Sequence, residues 1–399
     1  MEPNLRGPSS RAPDPDSRND SQAQDRDGER VRGVLFVVKD GYGFLRQAKN
    51  NYMSGPGDIY VPKNVIQRYR IRPGSEVDGA LGRGRRGKKK RPLEVVFSIN
   101  NGPPEQHSRT RHWKEFTSVD PNRRIRLEVK SGDLALRIVD LVTPIGFGTR
   151  GLITAPPRTG KTVLIQKMAG AIAENHPEAR LIILLVDERP EEVTDFRRTC
   201  KTAEVVASTL DMDPADHVTI CEVVLDRCRR LVETGKDVVL FIDSLTRMAR
   251  AFNTERGRSG RTLTGGLDSQ AMQKPREIFG AARFHERGGS LTTIASCLID
   301  TGSKMDQVIF EEFKGTGNME LVLSRELADK RIFPAIDVKG SGTRKEEKLR
   351  THEELRLVNA MRRGIVRLPP QKAIETLIER VRQTQNNAEF LMMLQKASL

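Results

Sequence analysis

The sequence predicts an α/β protein: a mostly parallel sheet with covering helices, preceded by a small β-barrel of the OB or cold-shock type. Three observations predict it. From about Asp133 onward, apolar runs of strand length alternate with helical patterns, as βαβ units and a parallel sheet require. Between residues 31 and 100, five short β-like stretches are separated by Gly, Pro and Asn, which fits a small barrel. The chain has 399 residues, more than one ordinary core accommodates, so units of different character are expected.

Residues 1–30 are rich in Pro, Ser, Asp, Arg and Gln, with no large apolar side chain between Leu5 and Val31. Such a segment cannot offset its chain entropy by burial, and a disordered tail is expected. The barrel, residues 31–100, is read from Val31–Val38, Tyr42–Arg46, Asp58–Val61, Glu76–Leu81 and Leu93–Ile99. It holds 15 Lys/Arg against 5 Asp/Glu, so most of the chain's net charge of +15 sits there. A polyanionic partner is expected at that unit. Strand alternation puts Tyr42 and Phe44 on one face, with Tyr60 in the next β-like stretch and Arg46 close by. Aromatic rings beside cations form a stacking platform for unpaired bases, although any single ring could equally fill a barrel interior. The run Arg83–Arg91 carries seven cations and no acid, suited to gripping phosphates without reading bases. Residues 101–130 read as a connector, with the lone Trp113 as its anchor.

Residues 131–399 form the second unit. GLITAPPRTGKTV (Gly151–Val163) is a strand, a turn and a helix start. Backbone N–H groups of such a turn and helix N-terminus converge on a polyphosphate. Lys161 would reach the β- and γ-phosphates and the Thr162 hydroxyl would ligate Mg²⁺. Ala155 stands where the strict GxxxxGK[ST] pattern has its first glycine. DVVLFIDS (Asp237–Ser244) supplies the other half: a buried strand ending in Asp243, placed to hold Mg²⁺ through water. LLVDERPEEV (Leu184–Val193) ends another buried strand at Glu188, the candidate general base for the attacking water, with Arg189 beside it as a phosphate contact. Hydrolysis in such sites uses an arginine in cis or from a neighbour; Arg344, on a Gly/Ser-rich loop, is the candidate, with Arg331 upstream. Two further polar stretches, Arg261–Ser269 and Asp300–Asn318, read as loops suited to a sugar-phosphate backbone. From Thr351 the chain reads as helices.

No apolar run approaches the roughly 18 residues of a membrane span, and the N-terminus lacks a signal-peptide pattern. Cys200, Cys221, Cys228 and Cys297 show neither CxxC pairing nor metal-ligand spacing, so buried reduced thiols and a cytoplasmic location are expected.

Several of these stretches together resemble one family. VDERPEEVTDF, IDSLTRMARAFN, LTGGLDS, IFGAARF, LIDTGSKMDQVIFEEFKGTGNMELVLSR and FPAIDVKGSGTRKEE are similar to bacterial transcription termination factor Rho, and the resemblance spans residues 31–399. It implies a RecA-like P-loop ATPase core, a homohexameric ring and a cold-shock domain that captures single-stranded nascent RNA. It further implies RNA-dependent ATP hydrolysis driving 5'-to-3' movement, with release of RNA from the RNA polymerase elongation complex. By matching position, ATP binding falls on Gly146, Phe147, Gly148, Thr149, Arg150, Gly151, Arg158, Thr159, Gly160, Lys161, Thr162, Val163 and Arg189. The barrel RNA site falls on Gly41, Tyr42, Gly43, Phe44, Leu45, Arg46, Asp58, Ile59, Tyr60, Lys88, Lys89 and Lys90. Central-channel RNA contacts fall on Thr262, Leu263, Thr264, Gly265, Gly266 and Lys304, and Arg344 matches the arginine finger. The chain departs from the family's usual Lys at Arg158 and from its usual acid and aromatic at Lys88 and Lys90. It also lacks a recognisable helical subdomain in residues 1–30. Two readings compete: a rotary proton-translocating ATPase subunit, opposed by the aromatic, basic barrel, and a passive RNA-binding protein that uses ATP only to assemble.

Overall fold

The computed structural model describes residues 29–82, 91–256, 266–268 and 270–397. The expected tail at 1–30 therefore lies, but for its last two residues, outside the described residues. Most of the basic run lies outside them as well, including Lys88, Lys89 and Lys90, and so do Thr262, Leu263, Thr264 and Gly265.

Period-two alternation shapes the N-terminal unit. Strands Arg30–Val37, Gly43–Arg46, Ile59–Val61, Glu76–Leu81 and Leu93–Ile99 pair antiparallel, with Arg30–Val37 central and Ile59–Val61 and Leu93–Ile99 at the edges. A bridge between Tyr60 and Pro92 draws those edges together. Inward side chains Leu35, Leu45, Val61, Val77, Leu93 and Ile99 make the core of this unit. One helix, Lys63–Tyr69, lies inside the stretch read as strands and loops; its Val65 joins that core.

The second unit is built on a larger sheet. Its order is Glu204–Thr209, Arg180–Glu188, Val238–Asp243, Ser290–Leu298, Arg150–Ala155, Met319–Val322 and Gly342–Thr343. All pairings along this path are parallel except the last. Leu181, Ile183 and Leu185 face one buried cluster while Ile182, Leu184 and Val186 face another, as a strand covered on both sides requires. Helices Lys161–Asn175, Pro190–Thr199, Pro214–Glu233 and Leu245–Glu255 follow successive strands, and His352–Ile365, Pro370–Arg382 and Asn387–Ala397 close the chain. Asp300–Asn318, read as a loop, contains the helix Lys304–Lys314. Ile309, Phe310 and Phe313 bury one face of it, and the Ser303 hydroxyl accepts from the Asp306 N–H at its start.

The two units are docked. Gly74, at φ +80°, lies so close to the Pro214–Glu233 helix that a Cβ there would come within 2.3 Å of the Asp226 carbonyl carbon. Arg72 pairs with Glu233 at 3.0 Å, and the Tyr52 hydroxyl donates to Glu204. Trp113 in the connector is buried; its backbone N–H donates to Glu233, and Arg229 and Arg283 lie over its ring. No helix among the described residues is long and apolar enough to cross a membrane, and the four cysteines are buried and unpaired.

Candidate nucleotide and RNA sites

The strand order explains the cradle. Arg180–Glu188 and Val238–Asp243 are neighbours, and Ser290–Leu298 separates them from Arg150–Ala155. The carboxyl ends of these four strands face one edge, where ligands of open α/β sheets bind. Ala155 is the last residue of its strand, has no left-handed backbone, and is fully buried, so a glycine is not needed there. The turn then requires left-handed backbone at Arg158, φ +66°, and Gly160, φ +84°. The Thr159 hydroxyl donates to the Pro156 carbonyl at 2.8 Å and closes the turn. Gly160 caps the Lys161–Asn175 helix without a side-chain acceptor. The first-turn N–H groups are thus left for an anion.

Lys161 Nζ pairs with Asp243 Oδ1, which also accepts from the Ser296 hydroxyl at 2.7 Å. Asp243 Oδ2 is buried with no hydrogen-bond partner. An orphaned buried carboxylate oxygen beside the cradle, with the half-buried Thr162 hydroxyl on the helix's first turn, is a donor set that fits a hard cation such as Mg²⁺. Glu188 is 2 % exposed; its Oε1 lies 3.3 Å from Arg247 Nη2 and accepts from the Arg189 N–H at 3.1 Å. Burial raises the Glu188 carboxyl above the ordinary glutamate range; the Arg247 guanidinium opposes the shift and Asp243 adds to it. Arg247 also donates to the Asp187 carbonyl, so one guanidinium holds both backbone and carboxyl of this strand end.

Beside the turn lies a 690 Å³ cavity lined by Arg158, Thr159, Gly160, Val163, Leu134 and Phe333 among others. Its apolar walls suit a nucleobase next to phosphates on the turn. Arg158 is exposed at this cavity, and Arg189 is exposed at the N-terminus of the next helix. Phe333 and Arg247 were not singled out from the sequence. Arg247 could have been found, since it lies four residues after Asp243 on the following helix. Phe333 could not, since only folding brings it beside Gly160.

Seven predicted residues are not brought to this cradle within the chain. Gly146, Phe147, Gly148, Thr149 and Gly151 are buried, and Arg150 donates to the carbonyls of Thr316 and Ala282. They lie at or before the opposite end of the strand that ends in Ala155. Arg344 is exposed at the same end: Thr343 pairs with Met319, which pairs with Gly151. Gly151 is four residues before Ala155, roughly 13 Å at strand rise, and the antiparallel strand carries Arg344 farther away.

On the barrel, Tyr42, Phe44 and Tyr60 form a half-buried cluster with ring centroids 5.5–6.1 Å apart. The pairing of Phe44 with Tyr60 across strands creates it. Tyr42 itself precedes the strand, which begins at Gly43. Gly41 adopts φ +86°, and a Cβ at Gly43 would meet the Phe36 carbonyl at 2.5 Å. Three expectations need correction. Leu45 is buried and Ile59 packs against the barrel core, so alternation turns both side chains away from the rings. Arg46 is 8 % exposed, lies 4.0 Å above the Phe36 ring and faces Asp58 at 3.5 Å, so it is not a free cation beside the platform.

In the third region, Gly266 and Lys304 come together: the Asn253 amide donates to the Gly266 carbonyl, and Asn253 and Lys304 line one 560 Å³ cavity. Asp306, on the Lys304 helix, receives a bidentate pair from Arg250 at 2.8 and 2.6 Å and the Thr301 hydroxyl at 2.6 Å. The Leu245–Glu255 helix thus carries Arg247 against Glu188 and Arg250 against the Lys304 helix, three residues apart and on adjacent turns.

Residues 31–105 match the Rho termination factor RNA-binding domain, and residues 135–343 match the nucleotide-binding domain of the ATP synthase alpha/beta family. A transcription termination factor Rho of Cereibacter sphaeroides is 51% identical over 361 residues, covering 90% of this chain and 85% of that one. Those of Pseudomonas aeruginosa and Escherichia coli K12 are each 48% identical, covering 92% of this chain and 88% of theirs. Among solved structures, an ATPase of a type III secretion system has a TM-score of 0.59 at 21% identity over 80% of this chain and 94% of its own. The ATP synthase subunit NeqB of Nanoarcheaum equitans has a TM-score of 0.54 at 18% identity over 63% of each chain. These two likenesses show the RecA-like fold of the core. With a Rho-type RNA-binding unit ahead of that core and such identity along nine-tenths of its length, the chain belongs to the transcription termination factor Rho family.

Proposed function

We propose that this chain is an RNA-dependent ATPase that moves 5'-to-3' along single-stranded nascent RNA as a homohexameric ring in the cytoplasm. It terminates transcription by releasing that RNA from the RNA polymerase elongation complex. The observation that carries the reading is the convergence of Lys161, Asp243 and Glu188 at one sheet edge, in a chain with a separate aromatic barrel face. Lys161 and the first-turn N–H groups bind the phosphates of ATP, and the 690 Å³ cavity with Phe333 takes its base. Thr162 and Asp243 would hold Mg²⁺, which when bound neutralises charge on the phosphates. Glu188, steadied by Arg247, accepts the proton of the attacking water. Arg344, too far from its own cradle, serves the cradle of a neighbouring subunit. Tyr42, Phe44 and Tyr60 stack on bases of captured RNA, while Gly266 and Lys304 with the 262–265 stretch contact RNA in the ring's channel.

A rotary ATPase subunit shares the core fold, but its barrel needs no ring cluster for bases. Hydrolysis measured with and without pyrimidine-rich RNA separates the two. RNA is expected to raise the rate several-fold, and an unchanged rate sinks the translocase reading.

A further inference from the structure

A third cavity lies at the other end of the large sheet, where the barrel meets the ATPase unit. It measures 360 Å³. Arg32 and Glu76 reach it from the barrel; Arg180, Glu204, Arg227 and Lys236 reach it from the ATPase unit. Four cations thus face two carboxylates, and both carboxylates are already engaged. Glu76 accepts from Arg32 at 2.8 Å and from Arg227 at 3.1 Å, while Glu204 accepts from the Tyr52 hydroxyl.

Arg227 is the informative residue. It is 7 % exposed, and only its Nη2 is bonded; Nε and Nη1 are buried without a partner. A guanidinium removed from water with donors unmet is costly unless an acceptor arrives. The close seat of Gly74 on the backbone of Asp226 and Arg227 fixes where this side chain starts. Arg180 and Lys236 are exposed and make no ion pair with any described residue. Arg180 opens the strand that ends in Glu188, roughly 26 Å away at strand rise, so phosphates on the cradle cannot satisfy these donors.

We propose that this junction binds a small phosphate-bearing anion, gripped by Arg227 with Arg180 and Lys236 at its mouth. Arginine guanidinium groups match phosphate oxygens in charge and geometry.

The test is calorimetric titration of the full-length protein, its cradles saturated with ADP and Mg²⁺, with inorganic pyrophosphate and separately with AMP. One site per chain is expected for at least one probe; a preference for pyrophosphate marks a free inorganic anion, and a preference for AMP a nucleotide phosphate. Arg180→Glu, at an exposed position, is expected to weaken that binding about tenfold or more through charge reversal, with ATP affinity and RNA capture unchanged. Arg227→Gln, checked for an intact melting transition, is expected to abolish it. The proposal is overturned if neither probe binds the ADP-saturated protein, or if both variants bind as the parent does. It is also overturned if single-stranded RNA displaces the probe, which would make the junction part of the RNA path.

Discussion

Two charges in the cradle illustrate what single residues contribute. Lys161 and Asp243 neutralise one another across two strands, and each is the group a nucleotide and its metal require. Lys161→Ala is expected to abolish hydrolysis while RNA capture at the barrel survives. Phe44→Ala should weaken capture by about 1–3 kcal/mol, the contribution of one base on an aromatic ring, without damaging the cradle. Nitrocellulose binding and ATPase rates measured on both variants check this, and loss of RNA capture in the Lys161 variant would contradict the separation. Glu188 carries the pH dependence. A base whose carboxyl is raised by burial loses its proton only above the ordinary glutamate range. The rate should therefore fall, as pH drops, at a higher pH than an unperturbed glutamate would dictate. Because Arg247 holds the carboxyl down against burial, Arg247→Ala should move that acid limb to higher pH. A limb that stays put in the variant's kcat profile would remove Glu188 from the role of base.

At the scale of elements, one helix and one contact matter most. The Leu245–Glu255 helix starts next to Asp243 and reaches both Glu188 and the Lys304 helix, so two arginines join the cradle edge to the helix proposed to contact RNA. The barrel is seated by the absence of a side chain at Gly74. With φ +80° and helix backbone 2.3 Å from any Cβ, Gly74→Ala is strained in backbone and in contact. We expect it to cost about 1–3 kcal/mol of docking stability, read as a lower melting temperature or a separate early barrel transition. An unchanged melt would mean the contact relaxes freely.

For the whole molecule, the separation of Arg344 from the cradle of its own chain makes the proposed ring testable. If Arg344 acts on a neighbour, two inactive variants should complement. A Lys161→Ala subunit still offers its arginine, and an Arg344→Ala subunit still offers an intact cradle. Mixed rings should regain a measurable RNA-stimulated rate that neither variant shows alone. Mixtures as inactive as their components would place Arg344 outside the hydrolysis step.

Much of this was legible in the chain because the signals are local. The turn at Arg158–Lys161, the strand ending in Asp243 and the alternation in Leu93–Ile99 depend on neighbours in sequence, where backbone preference and side-chain period act. The same logic identifies Tyr42 and Phe44 as candidates for one surface. It fails where the partner is distant. Arg46 carries a charge that sequence places among the rings, yet Asp58 and Phe36 take it up. Leu45 and Ile59 belong to a matched run but point into the barrel, since matching a stretch says nothing of which face each residue takes. The helix at Lys304–Lys314 hid within a polar, glycine-flanked run, because its buried apolar residues Ile309, Phe310 and Phe313 are interleaved with charged ones. By itself, then, the sequence determined the two kinds of unit, the phosphate turn and the carboxylates that serve it, all properties of short stretches. Only the tertiary structure decided that Phe333 lies by the turn, that Arg247 meets Glu188 while Arg250 meets Asp306, and that Arg344 lies at the far end of the sheet from its own cradle. Those relations depend on strand order and docking, which long-range packing selects and no local pattern encodes.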